Sequence, residues 1–322
     1  KRHPEILEEE IDDPIIILGL PRTGTTKLQR ILAADPDTLS TKFWQTMYPA
    51  RIPGSPQNGE DPRIEIGRQI IAAMAQASPG LMQLHPMSAE YAEEEVFLQL
   101  VSFKFLSNDI LHPAPGYWEW LSTQSRRDAY EYLKQMLQYL QWQQGGRQGR
   151  QWVLKTPLHL GNLDLTAELF PRAKYIFTHR DLSEALPSFC RMIEMFWRIK
   201  MDEVDMHAVG RYCLRLWSQE MDRHFRQRES LGASLDIYDV LYERVKNDPF
   251  EVVKDIYAHL GREFTPQREQ AMRAWNETDI YGSLGRYSYG LEQYGITSDA
   301  IDTAFSEYQR YLGKLTAILN DW

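Results

Sequence analysis

Pro14-Ile15-Ile16-Ile17-Leu18-Gly19-Leu20-Pro21-Arg22-Thr23-Gly24-Thr25-Thr26 is the stretch on which the fold turns. Residues 15–18 are apolar and rich in β-branched side chains, and the run stops at a glycine, which is the pattern of a buried strand. Leu28, Ile31 and Leu32 follow at helical spacing within 26–34. The first unit is therefore expected to be strand, glycine turn, helix. Backbone N–H groups at the start of such a helix form an anion site, and glycine at 24 lets the backbone wrap closely around a phosphate. The hydroxyls of Thr23, Thr25 and Thr26 add donors. The two glycines and Thr26 are spaced as in a triphosphate-binding loop, but Thr25 stands where that loop carries its lysine. The nearest cation, Arg22, lies on the other side of Gly24. The loop can hold a phosphate without being built for a magnesium-bound triphosphate.

Working outward, residues 152–154 form a short strand candidate ending in Lys155-Thr156-Pro157, and 174–178 form another ending in His179-Arg180-Asp181. A further strand is expected at 235–238. Helical periodicity covers 64–77, 93–106, 126–144 after a cap at Ser125, 163–170, 183–198, 206–229, 249–260 after Asp248, and 298–319. Residues 1–13 read as an acidic lead-in, and 51–63, with three prolines and two glycines, as a loop. Strands alternating with helices predict an α/β fold with a central parallel sheet flanked by helices, in a single domain over 1–322. Ligands in such sheets sit beyond the carboxyl ends of the strands. Those ends would bring together the glycine loop, Lys155-Thr156 and Arg180.

Composition narrows the function. The 322 residues carry a net charge of −9, against the basic balance of a nucleic-acid binder. An anionic ligand must then be held by local donors. Cys190 and Cys213 fall in helical segments and read as buried free thiols. The eight histidines form no metal-ligand spacing, so no metal is expected. Residues 15–20, the most apolar run, are too short for a membrane span, no signal peptide is visible, and the cytoplasm is the expected compartment.

With these residues in view, the chain resembles the sulfotransferases that use 3′-phosphoadenosine-5′-phosphosulfate (PAPS), and it is most similar to their broad bacterial branch. Their phosphosulfate loop matches Pro21–Thr26. Their strand-end arginine with a serine eight residues on matches Arg180 and Ser188, which in the family bind the 3′-phosphate. Tyr242-Glu243 resembles the segment near the adenine, and Phe170-Pro171-Arg172-Ala173-Lys174 the approach to the arginine strand. The resemblance implies a P-loop NTPase-like three-layer fold and a PAPS site made by Arg22, Thr23, Gly24, Thr25, Thr26, Lys27, Arg180, Ser188 and Tyr242. Lys27 occupies the place where cytosolic members stack a tryptophan on adenine. Arg286, in Gly285-Arg286-Tyr287, is nearest to their late basic loop.

The activity so implied is transfer of a sulfuryl group from PAPS to a hydroxyl of a small apolar acceptor, releasing PAP. Arg22 and Lys155 are candidates for stabilising the charge that develops. Two residues are candidates for the base. His159 lies two places beyond the histidine of the family's Lys-Thr-His motif, and Glu94 lies in Glu93-Glu94-Glu95 ahead of an apolar run. An acceptor pocket is expected from the aromatics of 91–142 (Phe97, Phe103, Phe105, Tyr117, Trp118, Trp120), with Met192, Met195, Phe196 and Trp197 nearby. The alternatives are a small-molecule kinase, which would need lysine at 25, and a non-catalytic nucleotide-binding module.

Overall fold

Strand β1 (Ile15–Gly19) is buried at every position, because both of its faces are covered. The computed structural model describes residues 3–55, 59–111, 114, 116–278 and 290–320. Side chains alternate across a strand. Ile16 and Leu18 accordingly enter one core, with Leu133, Leu154, Phe177 and Trp217. Ile15 and Ile17 enter the other, with Leu28, Ile31, Val153, Ile176 and Val253.

The other strands are β2 (Thr38–Leu39), β3 (Gln151–Lys155), β4 (Lys174–His179) and β5 (Asp236–Leu241). They form one sheet in the order β2-β3-β1-β4-β5, and every pairing is parallel. This is the expected α/β architecture, with helices on both faces. The helices of the first half are α1 (Thr25–Leu32), α2 (Phe43–Met47), α3 (Pro62–Ala77), α4 (Pro79–Leu84), α5 (Val96–Gln99), α6 (Leu106–Leu111), α7 (Tyr117–Ser122) and α8 (Arg127–Gln143). In the second half come α9 (Leu163–Leu169), α10 (Leu182–Arg198), α11 (Met206–Leu231), α12 (Tyr242–Asn247), α13 (Pro249–His259), α14 (Pro266–Thr278), α15 (Ser298–Ala304) and α16 (Ser306–Asn320). Among the described residues no helix is long and apolar enough to cross a membrane.

Several caps follow the sequence. Asp248 accepts from the N–H of Glu251 ahead of α13, and Ser125 Oγ accepts from the N–H of Arg127 at the start of α8. Three expectations need correction. The loop at 51–63 ends early, because Asp61 caps α3 and Pro62 opens it. The helix expected over 93–106 is only α5 and a 3-10 turn at Leu100–Ser102, ended by Phe103 at φ 52°. Glu93 and Glu94 lie ahead of α5, and Glu95 is its N-cap. The tail helix over 298–319 is broken at Phe305, whose side chain is buried and whose backbone leaves helical geometry.

Candidate active site

The carboxyl ends of β1, β3, β4 and β5 meet around one loop. Residue 19 must be glycine: a Cβ there would lie 2.3 Å from Thr178 Oγ1, at a φ of +149°. Gly24 has φ +85° and forms the N-cap of α1 with no side chain capping the helix. The first N–H groups of α1 are thus left to a ligand. A Cβ on Gly24 would meet Tyr242 Cδ2 at 3.0 Å, so the tyrosine that opens α12 packs on the loop.

Arg22 adopts a left-handed backbone at φ 69°. Such strain in a non-glycine residue costs about 1–3 kcal/mol and persists only where surroundings enforce it. Three contacts enforce it here. Arg22 Nε donates to Ser188 Oγ at 3.0 Å, Nη1 donates to the Leu84 carbonyl at 2.7 Å, and the Arg22 carbonyl accepts from Arg180 Nη1 at 2.8 Å. The guanidinium of Arg180 also lies 4.1 Å from the Tyr242 ring centroid and pairs with Glu184. Arg180 and Ser188, picked out as a pair in the sequence, both bond Arg22, and Tyr242 packs on Arg180.

At the end of β3, Lys155 is almost wholly buried, and its Nζ lies 2.6 Å from Glu94 Oε1. Thr156 Oγ1 donates to Glu94 Oε2 at 2.9 Å. The three consecutive glutamates face three different partners. Glu93 is buried, 3.4 Å from His85 Nε2 and 3.8 Å from Arg30 Nη2. Burial pushes its pKa up, but His85, Arg30 and Lys155 outweigh this and bring it down to about 2. Glu95 is also buried, accepting from the N–H of Lys155 at 3.0 Å and bonding His159 Nε2 at 2.7 Å.

Two of the expected site residues lie behind the cleft rather than on its wall. His159 is fully buried, with Nδ1 bonded to Tyr130 OH at 2.8 Å and Nε2 to Glu95, and it does not line the cleft. Because a carboxylate only accepts, Nε2 donates to it, and in the neutral imidazole Nδ1 then accepts from the phenol. Thr23 is buried as well, and its hydroxyl is spent on the Leu20 carbonyl at 2.6 Å and Thr178 Oγ1 at 2.7 Å. Lys27 sits partly exposed in the first turn of α1. Arg286 lies outside the described residues.

A cleft of about 430 Å³ opens beside the loop. Arg22, Thr25, Thr26, Glu94 and Lys155 form its polar part; Phe43, Met47, Val96, Phe97, Leu100, Phe189, Met192 and Phe196 are among its apolar walls. Of the aromatics expected from 91–142, only Phe97 reaches it. Phe105 and Trp118 are core, while Phe103 and Trp120 face outward. Met192 and Phe196 line the cleft, whereas Met195 and Trp197 pack behind it. His85, Met74, Leu81 and Met87 also line it. No local pattern in the sequence marks them, since they reach the cleft through the packing of α3 and α4.

The curated relatives named Omega-hydroxy-beta-dihydromenaquinone-9 sulfotransferase Stf3, from Mycobacterium bovis and Mycobacterium tuberculosis, are each 24% identical over 258 residues. That alignment covers 78% of this chain, which spans only 63% of the length of those relatives. The crystal structure of sulfotransferase STF1 from Mycobacterium tuberculosis superposes with a TM-score of 0.80 at 29% identity, covering 95% of this chain and 80% of that one. Sulfotransferase STF9 from Mycobacterium avium gives 0.78 at 26% identity, covering 96% and 79%. The family model described as the sulfotransferase family matches residues 14–266, and the chain belongs to that family.

Proposed function

We propose that this chain transfers a sulfuryl group from PAPS to the hydroxyl of an apolar, lipid-like acceptor. The observation that carries the proposal is the shared lining of the cleft, where Arg22, Thr25, Thr26, Lys155 and Glu94 border a cavity whose other walls are mostly apolar. The fit to the donor rests on the uncapped start of α1 and on Thr25 in place of a triphosphate-binding lysine. PAPS supplies the sulfuryl group and leaves as PAP. Arg22 and Lys155 hold positive charge beside the leaving oxygen, as cations do for transferred phosphoryl groups. Glu94 takes the proton of the acceptor hydroxyl as the oxygen attacks. We favour Glu94 over His159 as the base, because Glu94 reaches the cleft and both nitrogens of His159 are bonded behind it. The apolar walls suit a hydrocarbon acceptor, in keeping with the menaquinone derivative named for the curated relatives.

Thermal shift against nucleotides tests the donor. PAP at 100 times its Kd should stabilise the protein by about 2.7 kcal/mol, or roughly 4 °C for a chain of this size. Stabilisation by magnesium-ATP with none by PAP would instead support a kinase.

Arg180 and Ser188 are proposed to read the 3′-phosphate. Arginine's planar fork suits a phosphate, and Arg180 reaches the loop through the Arg22 carbonyl. In calorimetric titration, Arg180→Ala should weaken PAP binding about 10- to 100-fold, the loss of one charge-assisted contact. Adenosine 5′-phosphosulfate, which lacks the 3′-phosphate, should bind nearly as before. Equal losses for both ligands would assign Arg180 to support of the loop alone.

A further inference from the structure

Large exposed apolar side chains gather on three segments at the mouth of the cleft. The first is 47–52, where Met47 lines the cleft and Tyr48 and Ile52 follow, all exposed. The second is 100–104, where Leu100 lines the cleft and Val101 and Phe103 are 64% and 68% exposed. The third is 198–201, where Ile199 and Lys200 line the cleft and Ile199 and Met201 are exposed.

These segments are tied into one rim. Asn108 Nδ2 donates to the Leu100 carbonyl at 3.2 Å, and Lys200 Nζ to the Leu111 carbonyl at 2.7 Å, so α6 joins the second segment to the third. Phe43 of α2 meets Phe97 of α5 edge-on at 6.5 Å, joining the first segment to the second. Phe103 is held in a left-handed conformation, and its carbonyl is fixed by Tyr117 OH at 2.8 Å. A strained backbone that presents a phenyl ring to water gains nothing for the fold, and such strain is characteristic of functional positions.

Charge on the rim runs against the rest of the chain. The three segments hold Arg51, Lys104, Arg198 and Lys200 and no acid, in a protein of net charge −9. Arg51, Lys104 and Arg198 lie near Asp61, Asp128 and Glu194, so their pull on an anionic surface is moderate and the apolar side chains must carry most of the affinity. Apolar side chains alternating with cations around the entrance of an apolar cavity match the interface of a lipid bilayer.

We infer that this rim docks on a lipid bilayer, with Val101, Phe103, Ile199 and Met201 entering the headgroup boundary and the cleft opening toward the hydrocarbon. The proposal rests on the lipid-like acceptor argued above, since a bilayer is where such an acceptor resides. Docking would let it slide from the hydrocarbon to Glu94 without crossing water.

The test is flotation of the full chain with phosphatidylcholine vesicles, with and without phosphatidylglycerol. Wild type should float, more strongly with the anionic lipid. Phe103→Asp and Met201→Asp, neither of which lines the cleft, should each lower vesicle affinity about 10- to 100-fold, the worth of one buried apolar side chain. Leu7→Asp, an equally exposed apolar site on the lead-in, should float like wild type. All three variants should keep wild-type turnover of a short soluble phenol. Wild type that stays unbound, or rim variants that float like wild type, would overturn the docking. A dimer in sedimentation velocity that the rim variants dissociate, without vesicle binding, would give the rim to a second copy of the chain and overturn it too. Failure of the reaction itself would show separately, as absent phenol turnover or absent stabilisation by PAP.

Discussion

Glu94→Gln is expected to lower kcat about 10²- to 10⁴-fold, the usual worth of a general base, while PAP affinity stays close to that of wild type. The amide keeps the shape and can still bond Lys155 and Thr156, which now touch Glu94 at 2.6 and 2.9 Å. What it loses is the capacity to take a proton. That capacity matters in the transition state rather than in donor binding, so kcat and kcat/KM should fall together. His159→Ala is the necessary contrast. It removes the acceptor of the Tyr130 hydroxyl and the donor to Glu95, both in a fully buried setting. Burial already holds the Tyr130 phenol well above its ordinary pKa, so it cannot respond by ionising. The loss should appear as stability, about 3 kcal/mol for two orphaned polar groups, and the folded fraction should keep most of its kcat. Stopped-assay turnover and denaturant titration separate the two outcomes. A Glu94→Gln enzyme with wild-type kcat, beside a folded His159→Ala enzyme with none, would return the role of base to the histidine.

The second large effect lies behind the site. Glu220→Ala should destabilise the protein by about 3–5 kcal/mol, the cost of leaving a buried charge without its partner, and lower Tm by roughly 4–7 °C. Arg126 donates to both oxygens of Glu220 at 2.9 Å, and neither side chain is more than marginally exposed. Arg126 also reaches Asn162 Oδ1 at 3.3 Å. The pair therefore pins the 3-10 turn Pro157–Asn162, which carries His159, between α8 and α11. Gly161 of that turn lies so close that a Cβ would come within 2.2 Å of Glu220 Oε2. The double variant Arg126→Met, Glu220→Leu should recover much of the loss, because apolar residues of similar volume need no charge compensation. Calorimetry can check this, and a fall in Tm below about 2 °C for Glu220→Ala would show that the pair is not buried as described.

Much of the fold was legible because the strands are short apolar runs cut off by Gly19, Pro157 and Asp181. The meeting of Arg22, Lys155 and Arg180 followed from the rule that parallel strands gather their carboxyl ends. The order β2-β3-β1-β4-β5 was not legible, since it depends on pairings between residues far apart in sequence. Glu93-Glu94-Glu95 shows the same limit at a finer scale. As a string it is three identical acids ahead of an apolar run. Each turns to its own partners only because His85, Lys155 and His159 arrive from elsewhere in the chain. The place of His159 has a local cause. Pro157 opens a 3-10 turn, and that turn carries the imidazole into the core rather than the cleft. The aromatics of 91–142 gave no hint of their direction, because the helix expected there is broken at Phe103.

The place of β1 at the centre of the sheet bears on how the protein is made. Its two neighbours, β3 and β4, come from the middle of the chain, with Ile15 set against Val153 on one side and Lys174 on the other. At roughly 5–20 residues per second, translation delivers β1 on the order of ten seconds before either neighbour exists. During that interval a run of three isoleucines and a leucine has no hydrogen-bonding partner on either edge, the condition under which apolar strands aggregate. Nor can Arg22 take up its left-handed backbone, because Arg180 and Ser188, which hold it there, are synthesised later still. The glycine loop is thus made well before the residues that give it its shape.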